Sequence, residues 1–208
     1  MHSKLSRKII LLLLIVPIIL GGCGQNDDAE LQQLHATVFT TPRPVADFSL
    51  IDHNSRAFNL ARLQNKWSFL FFGYTHCPDV CPNTLTTLNI VAGKLHDPDT
   101  QFVFVSVDPN RDKPDTLAKY VSYFNKNFIG VTENTPGEIA KLTKQLGILA
   151  IVDTGKEGDK INYVVQHSAN IILIDPNGQW HAMMTPPFDA NDIVREFTII
   201  KKHFKGER

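Results

Sequence analysis

Two cysteines, Cys77 and Cys81, lie between an apolar segment and an amphipathic one. The apolar segment, residues 69–73, is rich in aromatic side chains and ends in glycine, which predicts a buried strand. After Pro82, apolar residues recur at helical spacing: Leu85, Leu88, Val91, Ala92 and Leu95. The sequence therefore predicts a strand, a tight loop that holds Cys77, and a helix whose N-terminal cap lies near Cys81.

This position of the two cysteines indicates chemistry. The N-terminus of a helix carries partial positive charge, which favours a thiolate over a thiol. The thiolate is the form of cysteine that binds metals and attacks disulfides. The alternative is that Cys77 and Cys81 are only buried, or bridged to each other for structural reasons.

Cysteine content and charge exclude several classes of protein. Only three cysteines occur in 208 residues, so a scaffold stapled by several disulfides is excluded. Basic and acidic residues balance at 21 each, and nothing indicates a nucleic-acid binder. Residues 1–22 hold three basic residues and no acidic one, so the chain after them has 18 basic against 21 acidic residues. The expected mature domain is mildly acidic.

The N-terminal segment, residues 1–22, has the pattern of a signal peptide: a basic start followed by an apolar stretch over residues 9–20. That twelve-residue stretch is shorter than the about 20 residues needed to span a bilayer. A leucine and two glycines precede Cys23, which resembles a bacterial lipoprotein signal, in which the cysteine is lipidated and becomes the N-terminus. An ordinary signal peptide and an uncleaved anchor are the alternatives.

These patterns predict the location and the domain boundaries. All three interpretations of the N-terminus place the domain outside the cytoplasm, and the lipoprotein signal places it on the periplasmic side of the bacterial cell envelope. Residues 23–43 are predicted to form a tether with room for one helical turn, and ordered structure is expected to begin near Pro44. The domain would then comprise residues 44–208.

The order of elements after Pro44 predicts the fold. Strands are predicted near residues 102–107, 128–131 and 170–175, and helices over residues 115–124, 136–146 and 189–204. Hairpins are predicted at residues 47–60, at 148–165 around a charged tip at 155–160, and at 170–183. Parallel β-α-β-α units followed by an antiparallel hairpin and a helix predict an α/β thioredoxin-like sandwich, a mixed central sheet with helices on both faces. Its active loop lies at the C-terminal end of the first strong parallel strand, where the cysteines fall.

A histidine occupies the position that faces the cysteines in this fold. Thioredoxin-like redox enzymes have two residues between their cysteines and a proline before the strand equivalent to residues 170–175. This chain has three intervening residues, and no proline but His167 in that position. Two thiolates and an imidazole suit Cu(I), and the imidazole also accommodates Cu(II). Zinc normally requires a fourth ligand, and none is obvious.

Three motifs resemble the Sco/SenC family: residues 73–82 (GYTHCPDVCP), residues 106–112 (SVDPNRD) and residues 167–178 (HSANIILIDPNG). The resemblance covers the chain from about Pro44 to its end. It implies a membrane-tethered, thioredoxin-fold copper protein that helps to build the dinuclear copper centre of cytochrome c oxidase. The family's copper ligands correspond to Cys77, Cys81 and His167. Many members have an acidic residue directly before the histidine, whereas this chain has Gln166, a difference expected to bear on copper affinity or partner docking but not on the implied ligand set.

Two functions follow from the same residues. The first is a copper chaperone, a metallochaperone rather than a turnover enzyme. Its implied partners are the copper-site subunit of cytochrome c oxidase, another copper chaperone or thiol reductase, and a membrane reached through lipid on Cys23. The second is a thiol-disulfide oxidoreductase, with Cys77 and Cys81 as a redox-active disulfide, that reduces cysteines of the oxidase subunit or senses redox state. Only the first needs His167. A peroxiredoxin-like peroxidase would require a Thr-x-x-Cys nucleophile and an activating arginine.

Other polar and sulfur-containing residues are assigned lesser roles. His76 is expected to be exposed or to lie beside the ligands, and Asp79 to tune the thiolates, meet a partner or stabilise the loop. Met183 and Met184 are expected to fill the core rather than to bind copper. Solvated positions are expected for His53, Arg111, Lys113, His181 and His203.

Overall fold

The computed structural model describes residues 30–153 and 163–206 of the chain. The predicted signal peptide, the lipidation site Cys23 and the charged tip at residues 155–160 lie outside these ranges. In the described ranges, no helix has the length and apolar character that a membrane span requires.

The chain alternates between strands and helices over most of its length. The strands are β1 (Thr37–Pro44), β2 (Leu50–Asp52), β3 (Ala57–Phe58), β4 (Trp67–Gly73), β5 (Thr100–Ser106), β6 (Ile129–Thr132), β7 (Ala150–Asp153), β8 (Val164–His167), β9 (Ile171–Ile174) and β10 (Gln179–Met184). The helices are α1 (Val80–Leu95), α2 (Pro114–Phe124), α3 (Glu138–Gln145) and α4 (Ala190–Gly206).

Eight of these strands form one mixed sheet in the order β1-β10-β9-β4-β5-β6-β2-β3. Strands β4, β5 and β6 are parallel, whereas β9 is antiparallel to β4 and β10 is antiparallel to β9. Strands β7 and β8 pair with each other in a separate antiparallel ribbon. This architecture confirms the predicted α/β fold class.

Strand β4 is buried along its whole length, as its apolar sequence predicts. Side chains on alternate residues share a face of the sheet, so Phe69, Phe71 and Gly73 point the same way. On that face the ring of Phe69 packs against Phe197 of α4, with 5.0 Å between ring centroids. Burying each phenylalanine contributes about 1.5–3 kcal/mol. These contacts fix the central strand and, with it, the position of the loop that follows it.

The C-terminal ends of β4 and β5 bring two loops together. Gly73 lies opposite Ser106 in the parallel register, and the Val107 N–H donates a hydrogen bond of 2.8 Å to the Gly73 carbonyl. The loop after β4 carries Cys77, and the loop after β5 comprises residues 107–113. Ligand sites of open α/β sheets lie at this edge.

The expected start of ordered structure near Pro44 is wrong, because residues 37–43 belong to β1. This strand pairs with β10 at the edge of the sheet. The ring of Phe39 packs edge-on against Trp180 at 4.8 Å, and the Arg43 guanidinium lies 4.1 Å from the centre of the Phe39 ring. Main-chain pairing with a distant strand stabilises this segment. Its own sequence is largely polar and therefore did not predict a strand.

The solvated position expected for His181 is also wrong. His181 is 5% exposed, its Nδ1 lies 3.2 Å from the buried Asp175 carboxylate, and its ring packs against Trp67 and Phe204. His53 is half-buried, and its Nδ1 accepts a 3.0 Å hydrogen bond from a backbone N–H.

The two methionines lie in β10 as core residues. Met184 is buried, and Met183 is half-buried against the core. The Asn170 side-chain amide donates a hydrogen bond of 3.3 Å to the Met183 sulfur. The burial of Met184 and the partial burial of Met183 agree with the packing role expected for both residues.

Candidate metal centre

The cysteine loop follows β4 and leads into α1. Helix α1 begins at Val80 with Asp79 as its N-cap, so Cys81 is the second helical residue and not the cap. The Cys77 N–H donates to the Tyr74 carbonyl at 3.2 Å, which closes a turn, and the Cys81 N–H donates to the Cys77 sulfur at 3.4 Å. Both thiols are free, and Cys81 is fully buried.

The glycine at the end of β4 makes room for the second cysteine. A Cβ atom added to Gly73 would lie 2.6 Å from the Cys81 sulfur and 2.8 Å from the Phe104 ring. Such distances are far below van der Waals contact. Cys81 therefore requires glycine at this position.

His167 reaches the cysteines from the C-terminal end of β8. Its Nε2 lies 3.4 Å from the Cys81 sulfur, and its Nδ1 lies 3.1 Å from the Ser168 carbonyl oxygen. A carbonyl only accepts hydrogen bonds, so the proton belongs on Nδ1 and the Nε2 lone pair faces the sulfur. The Tyr74 ring packs edge-on against the imidazole at 5.8 Å. A proton on Nδ1 and a free lone pair on Nε2 form the tautomer that a metal-binding histidine needs.

The structure therefore brings together the three residues that the sequence singled out. The sulfurs of Cys77 and Cys81 and a ring nitrogen of His167 all lie within 4.8 Å of one another. Two soft sulfur donors and one imidazole fit copper better than they fit zinc, which prefers four ligands. The donor set in this chain thus fits a copper ion.

The two thiols differ in their affinity for a proton. A hydrogen bond from the Cys81 thiol, helped by hydrogen bonds from backbone N–H groups, lowers the pKa of Cys77 to about 4 despite partial burial. Donating that hydrogen bond, together with burial, raises the pKa of Cys81 well above its ordinary value. At neutral pH the metal-free site therefore holds one thiolate and one thiol.

The family model for SCO1/SenC proteins matches residues 39–201. The chain belongs to the SCO1/SenC family. A protein of Stutzerimonas stutzeri, described provisionally as copper-binding, is 33% identical over 188 residues, which cover 89% of this chain and 90% of that protein.

Solved structures of SCO1/SenC relatives have the same fold. ScoI of Bradyrhizobium japonicum, solved with copper bound, is 33% identical, covers 76% of this chain and 98% of its own, and gives a TM-score of 0.65. Yeast Sco1, also solved with copper bound, is 28% identical, covers 79% of this chain and 90% of its own, and gives a TM-score of 0.70. Proteins of this family thus bind copper on the fold found here.

A buried aspartate that sequence reasoning missed holds the cysteine loop of this SCO1/SenC domain. The Asp112 carboxylate accepts hydrogen bonds from the Thr75 N–H at 2.9 Å, the Thr75 hydroxyl at 2.5 Å and the Ser106 hydroxyl at 2.6 Å. Asp112 is completely buried. It therefore fixes the start of the cysteine loop to the end of β5. An acidic residue that closely follows a buried parallel strand was the available signal.

The solvated position expected for Arg111 is wrong. Its side chain is 16% exposed, pairs with the buried Asp108 carboxylate, and lies 3.7 Å from the centre of the Tyr163 ring. The sequence did not predict the contact between Arg111 and Tyr163, because the two residues are 52 positions apart. Lys113 is exposed, as expected.

The two polar residues in the cysteine loop lie on its outer side. His76 is exposed, and its Nδ1 lies 3.1 Å from the Thr75 hydroxyl. Asp79 is exposed and accepts a 2.6 Å hydrogen bond from the Asn83 side chain. Neither belongs to the cluster of Cys77, Cys81 and His167.

Proposed function

We propose that this chain binds one copper ion through Cys77, Cys81 and His167 and delivers it to the copper-site subunit of cytochrome c oxidase. The observation that carries the proposal is the His167 Nε2 lone pair, 3.4 Å from the Cys81 sulfur. Thiol exchange does not require an imidazole there, whereas a soft metal ion gains a third donor from it. Two relatives of the same fold have been solved with copper bound, which supports the copper-binding part of the proposal.

The donor set suits a cargo that must be released again. A cluster of three protein donors leaves room for an incoming ligand, which transfer of the ion to a second protein requires. One thiolate is already present at neutral pH, so binding displaces only the proton of Cys81. Delivery to an oxidase subunit also places the protein where such a subunit exposes its copper site, outside the cytoplasm.

Lipid on Cys23 would hold the domain at a membrane of the bacterial cell envelope, on the periplasmic side. The short apolar stretch and the two glycines before Cys23 support this part of the proposal. In a bacterial host, Cys23→Ala should accumulate as an unprocessed precursor and should not incorporate labelled fatty acid. Labelling that persists in the Ala variant would leave the uncleaved anchor as the explanation.

Thiol-disulfide exchange is the second candidate function, and the low pKa of Cys77 favours it. The Cys77 thiolate would attack a client disulfide and form a mixed disulfide, releasing one client thiolate. Cys81, after losing its proton, would attack the Cys77 sulfur and release the second client thiolate. Two electrons then pass to the client, and a Cys77–Cys81 disulfide remains.

A comparison of His167→Ala with Cys77→Ser separates the two functions. If the chain delivers copper, cells that carry only His167→Ala should lack active oxidase under copper limitation and recover in part with added copper. The purified variant should still exchange thiols with a disulfide donor. If the chain is a reductase, oxidase activity should survive in His167→Ala and fail in Cys77→Ser at any copper level. Full oxidase assembly in His167→Ala under copper limitation contradicts the delivery proposal.

A further inference from the structure

Strand β8, which carries His167, is not part of the eight-stranded sheet, and in the described part of the chain it pairs only with β7. Its alternate residues differ in exposure: Val165 is 3% exposed, whereas Val164 is 60% exposed. Tyr163, directly before the strand, is buried as well. Tyr163, Val165 and His167 therefore face the body of the domain. Side-chain contacts, rather than sheet hydrogen bonds, must set the position of this strand over the cysteine loop.

The contacts at the start of β8 involve a buried ion pair. The Tyr163 hydroxyl donates a 2.5 Å hydrogen bond to the Asp108 carboxylate. The Arg111 guanidinium pairs with the other oxygen of Asp108, lies against the Tyr163 ring, and donates a 3.2 Å hydrogen bond to the Tyr163 carbonyl. Tyr163 is thus held through its hydroxyl, its ring and its main chain. We call Asp108, Arg111 and Tyr163 the β8 clamp.

Two residues of the β8 clamp, Asp108 and Arg111, lie in the loop after β5, which also contains the Asp112 that fixes the cysteine loop. Asp108 and Arg111 fix the residue four positions before His167, and Asp112 fixes Thr75, two positions before Cys77. The Tyr74 ring lies between the two halves, packed edge-on against His167 and 5.6 Å from the Arg111 guanidinium carbon. Residues 108–112 therefore connect the histidine half of the site to the cysteine half.

We propose that the β8 clamp positions His167, so that Asp108, Arg111 and Tyr163 are positioning residues for the metal ligand. This inference rests on the proposed copper site but adds residues that do not touch the metal cluster. Groups that orient a metal-binding histidine typically change metal affinity about 10–100-fold when they are removed. Removal of the Tyr163 hydroxyl should act through His167, because a different carboxylate, Asp112, accepts the hydrogen bonds that hold the cysteine loop.

The test is a double-mutant cycle between Tyr163→Phe and His167→Ala, read as copper affinity of the purified domain. Tyr163→Phe removes only the hydroxyl that binds Asp108 and should weaken copper binding about 10–100-fold. In the His167→Ala background the same substitution should change the affinity less than twofold, because the residue that it positions is gone. An equal loss in both backgrounds, or no loss in either, overturns the proposal.

Tyr120→Phe is the matched control. Its hydroxyl is buried and has no hydrogen-bond partner among the described residues, and its ring packs on Phe104 near the site. Removing this hydroxyl should leave copper affinity unchanged. A loss as large as that of Tyr163→Phe would show that any buried hydroxyl near the site matters, which contradicts a specific clamp.

A measurement on the metal-free protein separates this inference from the proposed function. Nuclear Overhauser effects between the Tyr74 and His167 rings report the position of the imidazole directly, since the ring centroids are 5.8 Å apart. These effects should weaken in Tyr163→Phe and persist in Tyr120→Phe. Unchanged effects in Tyr163→Phe overturn the clamp even if copper binds. If the wild-type protein does not bind copper through three ligands, the proposed function is refuted, but the weakened Tyr74–His167 effects in Tyr163→Phe still support the clamp. If Tyr163→Phe does not fold, Asp108→Asn tests the other arm of the clamp, because it keeps an acceptor for Tyr163 but removes the charge that holds Arg111; the Tyr74–His167 effects should weaken there as well, and unchanged effects overturn the clamp.

Discussion

At the scale of single residues, the two cysteines show how hydrogen bonding divides one site into two chemical roles. Cys81 donates to Cys77, and this lowers the pKa of Cys77 and raises that of Cys81. Cys77 therefore loses its proton before Cys81 does, and at a lower pH than an ordinary free thiol, whose pKa is about 8.5. The same asymmetry serves metal binding, which needs thiolates, and thiol exchange, which needs one nucleophile and one resolving thiol.

The pH dependence of alkylation checks this assignment. In the reduced, metal-free protein, iodoacetamide should modify Cys77 before Cys81, at a rate nearly constant from pH 6 to 8 that falls as the pH decreases through about 4. Peptide mass spectrometry gives the rate for each thiol. In Cys81→Ala the largest contribution to the low pKa is lost, and labelling of Cys77 should become more strongly pH-dependent. A wild-type rate that rises about tenfold per pH unit from 6 to 8 would contradict the lowered pKa.

The close approach of Gly73 to Cys81 gives a second prediction at this scale. Gly73→Ala should destabilise the domain by about 1–3 kcal/mol, because the new methyl group overlaps the Cys81 sulfur and the Phe104 ring. It should also weaken copper binding, since Cys81 must move. Denaturant unfolding and copper titration measure the two effects.

Gly93 provides the matched control for Gly73. It lies in α1, and a Cβ atom there would meet no other heavy atom within 4 Å. Gly93→Ala should therefore stabilise the domain by about 0.5–1 kcal/mol through helix propensity, without an effect on copper. Equal unfolding free energies for the two alanine variants would refute the steric argument.

At the scale of elements, a buried carboxylate of α4 holds the segment that leads into β1. Glu196 is 3% exposed and accepts hydrogen bonds from the N–H groups of His35 at 2.8 Å and Ala36 at 3.0 Å. Hydrogen bonds to a charged group stabilise more than neutral ones, at about 1.5–3 kcal/mol each. These bonds join the chain start to a helix 160 residues later.

Removing that carboxylate should loosen β1 selectively. We expect Glu196→Ala to lower the free energy of unfolding by about 2 kcal/mol, because the N–H groups of His35 and Ala36 lose their charged acceptor. Amide hydrogen exchange should accelerate at residues 35–39 and stay slow in β4. Lys202→Ala, at an exposed position of the same helix, should change stability by less than about 0.5 kcal/mol. Uniformly faster exchange across all strands would indicate global rather than local loosening.

Local patterns explain why part of the fold was predictable from sequence. Strand β4, the cysteine loop and α1 have their signals within about 30 residues, as apolar runs, helical spacing and a proline near the helix start. The cysteine pair of the candidate site was predictable for the same reason, since Cys77 and Cys81 share one motif, whereas His167 was chosen from its position before the strand predicted at residues 170–175. Strand β1 was not predictable, because its formation depends on pairing with β10, more than 130 residues later.

Isolated charged residues were predicted less well. Arg111 and His181 carry groups that are usually solvated, so both were expected in solvent. Each is buried because the fold supplies a carboxylate partner, Asp108 or Asp175, and an aromatic ring. Both carboxylates lie within six residues of their partners, but only the fold shows that the pairs are covered by Tyr163 or Trp67.

At the scale of the whole molecule, the site and the start of β1 lie toward the same end of the sheet. Thr37 pairs with Met183, Met183 with Ile172, and Ile172 with Leu70, three residues before the end of β4. Fourteen residues separate Cys23 from Thr37, which span at most about 50 Å at roughly 3.6 Å per residue. A lipid on Cys23 would therefore keep the start of β1 within that distance of the membrane surface, with the candidate copper site three strands away in the same sheet.

The boundary of the folded domain gives the last prediction. A chain that begins at Glu30 keeps β1 and the Glu196 hydrogen bonds, whereas a chain that begins at Val45 loses both. In the shorter chain the edge of β10 is left with unpaired main-chain groups, and Trp180 loses its contact with Phe39. The buried Glu196 carboxylate also loses the two N–H groups that donate to it. An unpaired edge strand promotes association between copies.

We expect the shorter chain to melt about 10 °C lower, since roughly 3 kcal/mol lost from a domain of this size shifts the midpoint by 2–4 °C per kcal/mol. It should also associate with rising concentration, as measured by light scattering after gel filtration. Both chains contain Cys77, Cys81 and His167, so at low temperature both should bind one copper ion with similar affinity. Equal melting midpoints and two monomeric chains would show that β1 adds nothing to the fold. Loss of copper binding in the shorter chain would instead show that β1 supports the metal centre as well as the edge of the sheet.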